Sequence, residues 1–357
     1  MKECLLYDPL PQGNIKCNLC QVRCTVRPGK AGFCNTRLNR DGKLWSLIYG
    51  VTSAIAVDPI EKKPINHAYP GTKILSAGTR GCNFHCPGCQ NWEISHDKPS
   101  EDGSNLEKMS PIQSVEMAVE QGCDGICWTY NEPTIWFEHN LEAAQEAKKR
   151  GLYTAYITNG YITPEALEII APYLDIYRLD LKAFNRKAYH KISGGLARFD
   201  EILAVAEVAK FRYRMHVEVV TNVTPTVNDD DEQLNGMANW IATKLGRETP
   251  WHVTRFIPYL DLAHLPATPV KRLEEAHAIG KRHGLEYVYV GNVHGHPLEN
   301  TYCPKCNATL VDRAGYKIAR IRIRDSKCPD CGYPIFGRWE RMKLGDGRRW
   351  HVASKGR

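Results

Sequence analysis

No run in these 357 residues approaches eighteen consecutive apolar positions, so a membrane-spanning helix is not expected. The opening stretch, MKECLLYDPLPQGNIKC, lacks the charged-then-apolar order of a secretory signal, and a cytoplasmic protein is the expectation. Excess charge is missing from most of the chain. Between Arg313 and Arg357 thirteen Lys and Arg face four Asp and Glu, a balance of +9, against +7 for the whole sequence, so the body is near neutral. A basic tail permits nucleic-acid contact, but a solvated surface accounts for it more simply, and no nucleic-acid partner is expected. Residues 1–70 show little periodicity and have too few apolar residues for a core of their own, which suits a small metal-stapled module.

Cysteine, by contrast, is plentiful at fourteen. In a long chain without a secretory signal, that number favours metal binding over disulfides. Eleven of the fourteen fall into three clusters. Cys4, Cys123 and Cys127 stand outside them and read as small buried apolar side chains.

From Thr72 onward short β-rich runs alternate with amphipathic stretches. Strands are expected at 73–79, 125–130, 153–158, 175–183, 213–221, 251–258 and 286–292. Helices are expected at 110–122, 135–151, 163–173, 196–210, 230–246 and 268–284, several opened by Ser, Thr or Asp and closed by Gly. This alternation argues for an α/β fold with a parallel sheet, a partial (β/α)6-type TIM barrel short of the eight units full closure needs. Residues 1–70 form a cysteine-rich N-terminal extension, 71–293 the barrel, and 294–357 a basic, zinc-ribbon-like C-terminal module.

In such folds chemistry gathers at the C-terminal ends of strands. Directly after the first strand stands GTRGCNFHCPGCQNW, whose Cys82, Cys86 and Cys89 follow C-x3-C-x2-C spacing. Three close thiols suit an iron–sulfur cluster with one iron left open, or a zinc knuckle completed by His85 or His96. After the second strand come Tyr130, Asn131 and Glu132, and after the third Thr158, Asn159 and Gly160. The fourth strand carries Asp180 and Lys182 on one face, and the sixth carries His252, a candidate to face a substrate or an ordinary core histidine. Asn131 and Glu132 offer the acceptors an ammonium needs, although Asn131 also suits a helix cap. The front set Cys17, Cys20, Cys24 and Cys34 fits zinc or a second cluster, and zinc is the expectation, because the four thiols lie within one short module far along the chain from the strand ends. The back set Cys303, Cys306, Cys328 and Cys331, two CxxC pairs, reads as zinc, with iron as the competing metal.

The cysteine motif resembles the radical S-adenosylmethionine (SAM) superfamily. CNFHCPGCQNW, TYNEPT, ITNGY and DLKAF resemble the branch related to pyruvate formate-lyase activating enzymes, and with CNLCQVRC…GFC and YCPKC…CPDCG the whole chain is similar to the radical SAM enzymes of the AmmeMemoRadiSam system. The resemblance implies a [4Fe–4S] cluster on Cys82, Cys86 and Cys89 whose fourth iron binds the amino and carboxylate groups of SAM. It implies reductive cleavage to a 5′-deoxyadenosyl radical that takes hydrogen from a substrate, a small molecule or a partner protein such as a glycyl radical enzyme. Tyr130, Asn131, Glu132, Thr158, Asn159, Gly160, Asp180 and Lys182 become expected cofactor contacts. A reductant such as flavodoxin or ferredoxin, and Memo-type and AMME-type proteins, become expected partners. One position departs from the pattern: the residue before the third cysteine, aromatic in the family and near the adenine, is Gly88, which leaves Phe84 or Trp92 to pack the adenine. The alternative function is a non-catalytic zinc protein for nucleic-acid or protein interaction, which leaves the polar strand ends without a task.

Overall fold

A computed structural model describes residues 1–99, 107–195 and 198–340. Residues 341–357 of the basic tail and the expected start of a helix at 196 lie outside the described residues. The molecule is a mixed α/β fold with a parallel central sheet. Seven parallel strands lie side by side in sequence order: Lys73–Gly78, Gly125–Trp128, Tyr153–Thr158, Ile176–Asp180, His216–Val223, Trp251–Arg255 and Val288–Gly291. Six crossovers join them. Their principal helices are Pro111–Glu120, Phe137–Lys149, Pro164–Ile170, Phe199–Phe211, Asp231–Trp240 and Val270–Arg282. An eighth strand, Ala54–Pro59, runs antiparallel along Lys73–Gly78. The outermost strands, Ala54–Pro59 and Val288–Gly291, do not pair with each other, so the sheet is open.

Local chemistry explains the elements. Tyr153–Thr158 is buried at every position, as a parallel strand covered on both faces must be. The Pro111–Glu120 helix starts with a reciprocal cap, in which the Ser110 hydroxyl accepts from the N–H of Gln113 while Gln113 accepts from the N–H of Ser110. Thr163 and Asp230 cap the Pro164–Ile170 and Asp231–Trp240 helices in the simpler way. The expected long helix at 230–246 changes its winding near its end: Ile241–Leu245 is a π-helical turn before Gly246 at φ +100°.

The first fifty residues make two small antiparallel sheets whose apolar residues join the main core. Ile15, Leu19, Val26, Leu44 and Ile48 belong to the same cluster as Trp128, Trp136 and Leu141. A buried ion pair fastens them: Arg37 grips both oxygens of Glu138, at 3.1 and 2.7 Å, with each side chain 2% exposed. Cys4, Cys123 and Cys127 are buried as expected. At the other end, the strands Thr301–Tyr302, Thr309–Ala314 and Lys317–Ile321 form a sheet. Leu310, Ile335, Cys303 and Cys328 pack it against Tyr287 and Tyr289 of the body. His67 fixes the seam through Phe336 O at 2.6 Å and the Tyr289 hydroxyl at 2.5 Å.

Two buried imidazoles bear on acid stability. Burial holds His67 and His139 each down to about 3, and His139 stacks on Trp136 at 3.9 Å with neither ring nitrogen hydrogen-bonded. The unfolded chain protonates both near pH 6.5, so stability is lost as pH falls from there toward 3, at up to about 1.4 kcal/mol per pH unit for each group. His139→Leu should therefore flatten the acid limb by about one proton, measured as urea-unfolding free energy at pH 7, 6 and 5. An unchanged slope would show that His139 is not held neutral.

Candidate functional site

The cysteine loop leaves the C-terminal end of Lys73–Gly78 and is held by its neighbours rather than by regular structure. Gly81 adopts φ +82°, and its N–H donates to Ile94 O at 2.8 Å. A Cβ there would lie 2.4 Å from the Thr36 methyl and 2.7 Å from Cys34 O, so only glycine lets the front module approach this closely. Asn131 is the main brace: its amide accepts from Thr79 N–H at 3.1 Å and donates to Gly81 O at 2.7 Å. The side chain expected to meet an ammonium is therefore committed to shaping the loop. Cys82 accepts from Phe84 N–H at 3.4 Å, and Cys89 lies 3.1 Å from the Ser95 hydroxyl.

Glu132 is buried where two strands end. One oxygen takes Thr134 N–H at 3.0 Å, the Thr134 hydroxyl at 2.5 Å and the Thr158 hydroxyl at 2.7 Å, while the other takes Asn159 N–H at 2.8 Å. Burial raises its pKa, against the pull of these donors. Each carboxylate oxygen offers about two acceptor directions, and the second oxygen has a single donor, so one direction remains there. Asn159 extends the lattice, donating to Asn83 Oδ1 at 2.8 Å. Gly160, at φ +79°, sits where a Cβ would strike Leu179 and Ile202 at 2.6 and 2.9 Å. Tyr130 also adopts a left-handed φ, +72°, and its carbonyl accepts from Asn91 Nδ2 at 2.8 Å.

Asp180 pairs with Arg178 in the same strand. Lys182 lies just beyond. Burial opposes its charge, but Cys86, Asp180, Tyr189 and Cys89 outweigh that and hold it protonated. Glu132 is thus tied through Asn159 to Asn83, the residue after Cys82, and the charge of Lys182 is felt at Cys86 and Cys89, so an acid and a base bracket the three-thiol loop. These groups suit the zwitterionic end of an amino acid, and three thiols on a glycine-bent loop suit a cluster with one iron open.

His252 is placed elsewhere. It bonds Glu218 at 2.6 Å and stacks on Tyr289 at 5.0 Å. Glu218 also binds His216 and the N–H groups of Asn66 and His67, in the connection that leads into the N-terminal end of Lys73–Gly78. His252 is therefore a satisfied core histidine, turned toward the loop opposite the cysteines. Gly88 lies against Leu262, whose Cδ1 would be 3.0 Å from a Cβ, so Leu262 fills the room an aromatic residue would take. Phe84 is buried against Tyr161 at 5.3 Å, which leaves Trp92, 39% exposed, as the open ring of the two. Asn83, Asn91 and Ser95 were not legible as parts of the site, although their polar types flank the cysteines in the sequence.

The four back thiols lie within 4.8 Å of one another, with Cys303–Cys331 at 3.6 Å and Cys306–Cys328 at 3.7 Å. Tetrahedral thiolates about 2.3 Å from one metal ion sit about 3.8 Å apart, so this group has the spacing to hold a single metal ion. Among the described residues no other group of three or more potential ligands is this tight.

A model of the Radical SAM superfamily matches residues 77–238. An uncharacterized protein of Methanocaldococcus jannaschii is 38% identical over 337 residues, 94% of this chain and 99% of that one. The chain is also similar to a domain of pyruvate-formate lyase-activating enzyme from Bacteroides vulgatus, at 13% identity over 47% of this chain and 99% of that one, TM-score 0.41. Streptococcus suis SuiB bound to S-adenosylmethionine is 15% identical over 66% of this chain and 53% of that one, TM-score 0.48.

Asn131→Ala should unpair two buried backbone groups, at about 1–3 kcal/mol each, and loosen the loop. Iron bound after anaerobic reconstitution should fall well below wild type while the circular dichroism spectrum stays native. Wild-type loading would show that the loop does not depend on Asn131.

Proposed function

We propose that the chain is a member of the radical SAM superfamily, a reading supported by the match of residues 77–238 to that superfamily's model. It is an enzyme that binds S-adenosylmethionine at a [4Fe–4S] cluster on Cys82, Cys86 and Cys89. When bound, the cluster supplies one electron to the sulfonium, giving methionine and a 5′-deoxyadenosyl radical that takes hydrogen from a second substrate, a small molecule or a group borne by a partner protein. The observation that carries this reading is the pair of charges flanking the three-thiol loop. Lys182 meets the carboxylate of the methionine moiety, and the free direction of Glu132 meets its ammonium. Thr158 and Asn159 hold Glu132 in place, Asn131 shapes the loop, and Leu262 with Trp92 walls the adenine side.

The similarity to the radical SAM enzymes of the AmmeMemoRadiSam system supports a finer assignment to that group, with Memo-type and AMME-type proteins as companions and a flavodoxin or ferredoxin as electron donor. The reading includes a partial (β/α)6 barrel curl of the open sheet, the division into 1–70, 71–293 and 294–357, zinc in the back site, and a cytoplasmic location. Among the described residues no helix is long and apolar enough to cross a membrane.

Two variants test it. Cys86→Ala should abolish anaerobic formation of 5′-deoxyadenosine under a strong reductant, and near-normal yield would sink the assignment. Lys182→Met should keep its iron and weaken SAM binding by about 1.5–3 kcal/mol, the worth of a charge-assisted bond, read by equilibrium dialysis. Loss of iron with affinity intact would make Lys182 structural.

A further inference from the structure

We propose that Cys17, Cys20, Cys24 and Cys34 hold a second four-iron cluster, not zinc, packed directly against the loop of Cys82, Cys86 and Cys89. The four thiols line one cavity together with Arg37 and Asn83. No three of them come within 4.8 Å of one another, whereas the back thiols of the same molecule do. A single tetrahedral metal needs its sulfurs about 3.8 Å apart. A cubane spreads its four thiolates over four irons and so takes a wider set around a space of its own.

The cavity wall carries a second signal. Arg37 and Asn83 are 1% and 0% exposed, yet among the described residues Arg37 Nε and Asn83 Nδ2 have no hydrogen-bond partner. The other Arg37 nitrogens are spent on Glu138, and Asn83 Oδ1 accepts from Asn159 Nδ2, which fixes the orientation of its amide. An unpaired buried donor costs about 1–3 kcal/mol. A cluster would bring inorganic sulfides as acceptors beside these two wall residues, and hydrogen bonds to sulfur are among the features that set a cluster's potential. A zinc ion brings no acceptor of its own.

The two cysteine loops touch. Cys34 O and Thr36 press on Gly81, and the ring of Phe33 meets that of His85 at 4.6 Å, edge to face. The front turn also docks on the third strand end, through Gln21 N–H to Tyr161 O at 3.0 Å and Thr163 N–H to Leu19 O at 3.1 Å. Asn83 belongs to both places: it follows Cys82 in the chain and lines the front cavity. Cluster occupancy stands apart from the function proposed above; only its value as an electron store beside the SAM site rests on that reading.

The test is metal stoichiometry of the full chain, reconstituted anaerobically with iron, sulfide and equimolar zinc, with Mössbauer spectra of each sample. Wild type should hold about eight irons, two cubanes of four, and about one zinc. Cys82→Ala/Cys86→Ala/Cys89→Ala should keep about four irons as a cluster, and Cys17→Ser/Cys20→Ser should keep the other four. About four irons and two zincs in wild type, or an iron-free triple alanine variant, would overturn the proposal, and neither result needs the serine variant to fold. Four irons that survive the alanine variant but not the serine variant would uphold the front cluster and reject the SAM site.

Discussion

The site depends on one buried carboxylate. Glu132 collects donors from Thr134, Thr158 and Asn159 and so ties the end of the second parallel strand to the end of the third. Asn159 carries the tie onward to Asn83 in the cysteine loop, and Asn131, one residue before Glu132, holds that loop from the other side. A three-thiol loop has little structure of its own. Its shape comes from this lattice, where each polar group is desolvated and must be paired. Removing one member therefore costs more than a single hydrogen bond, because its partners are left stranded in the interior.

The same constraint explains why a small N-terminal module packs at the end that carries the three-thiol loop. It shares the core of the body and is locked by the Arg37–Glu138 pair, and its Cys34 turn needs a glycine opposite it. The back module is built differently. Its thiols already stand at single-metal spacing, and it covers the loop side where His67, Glu218 and His252 satisfy one another. One end of the molecule gathers two touching cysteine loops with a buried acid and base beside them. The other is a closed cap.

Much of the fold was legible in the sequence, because seven buried strands and six helices, three of them with side-chain caps, carry strong periodic signals. The strand Ala54–Pro59 was not. Its faces are mostly half-buried, and it pairs antiparallel to a strand that already looked like an edge. The site was legible in its thiols, its strand-end polar residues and Lys182. Individual roles were not: Asn131 looks like a ligand acceptor until Thr79 and Gly81 are seen to take up its amide, and His252 looks exposed to chemistry until Glu218 appears beneath it. Nor could spacing place Cys34 against Gly81, since a contact between loops some fifty residues apart leaves no local pattern.

The central claim is that the loop between Glu132 and Lys182 presents an open iron to S-adenosylmethionine. Mössbauer spectroscopy of protein loaded with isotopically enriched iron, recorded with and without S-adenosylmethionine, tests this most directly. The account predicts that one iron of the Cys82 cluster changes its isomer shift and quadrupole splitting on binding, as its coordination rises, while the other irons stay as they were. Spectra that do not change under saturating S-adenosylmethionine, with binding confirmed on the same sample, would contradict it.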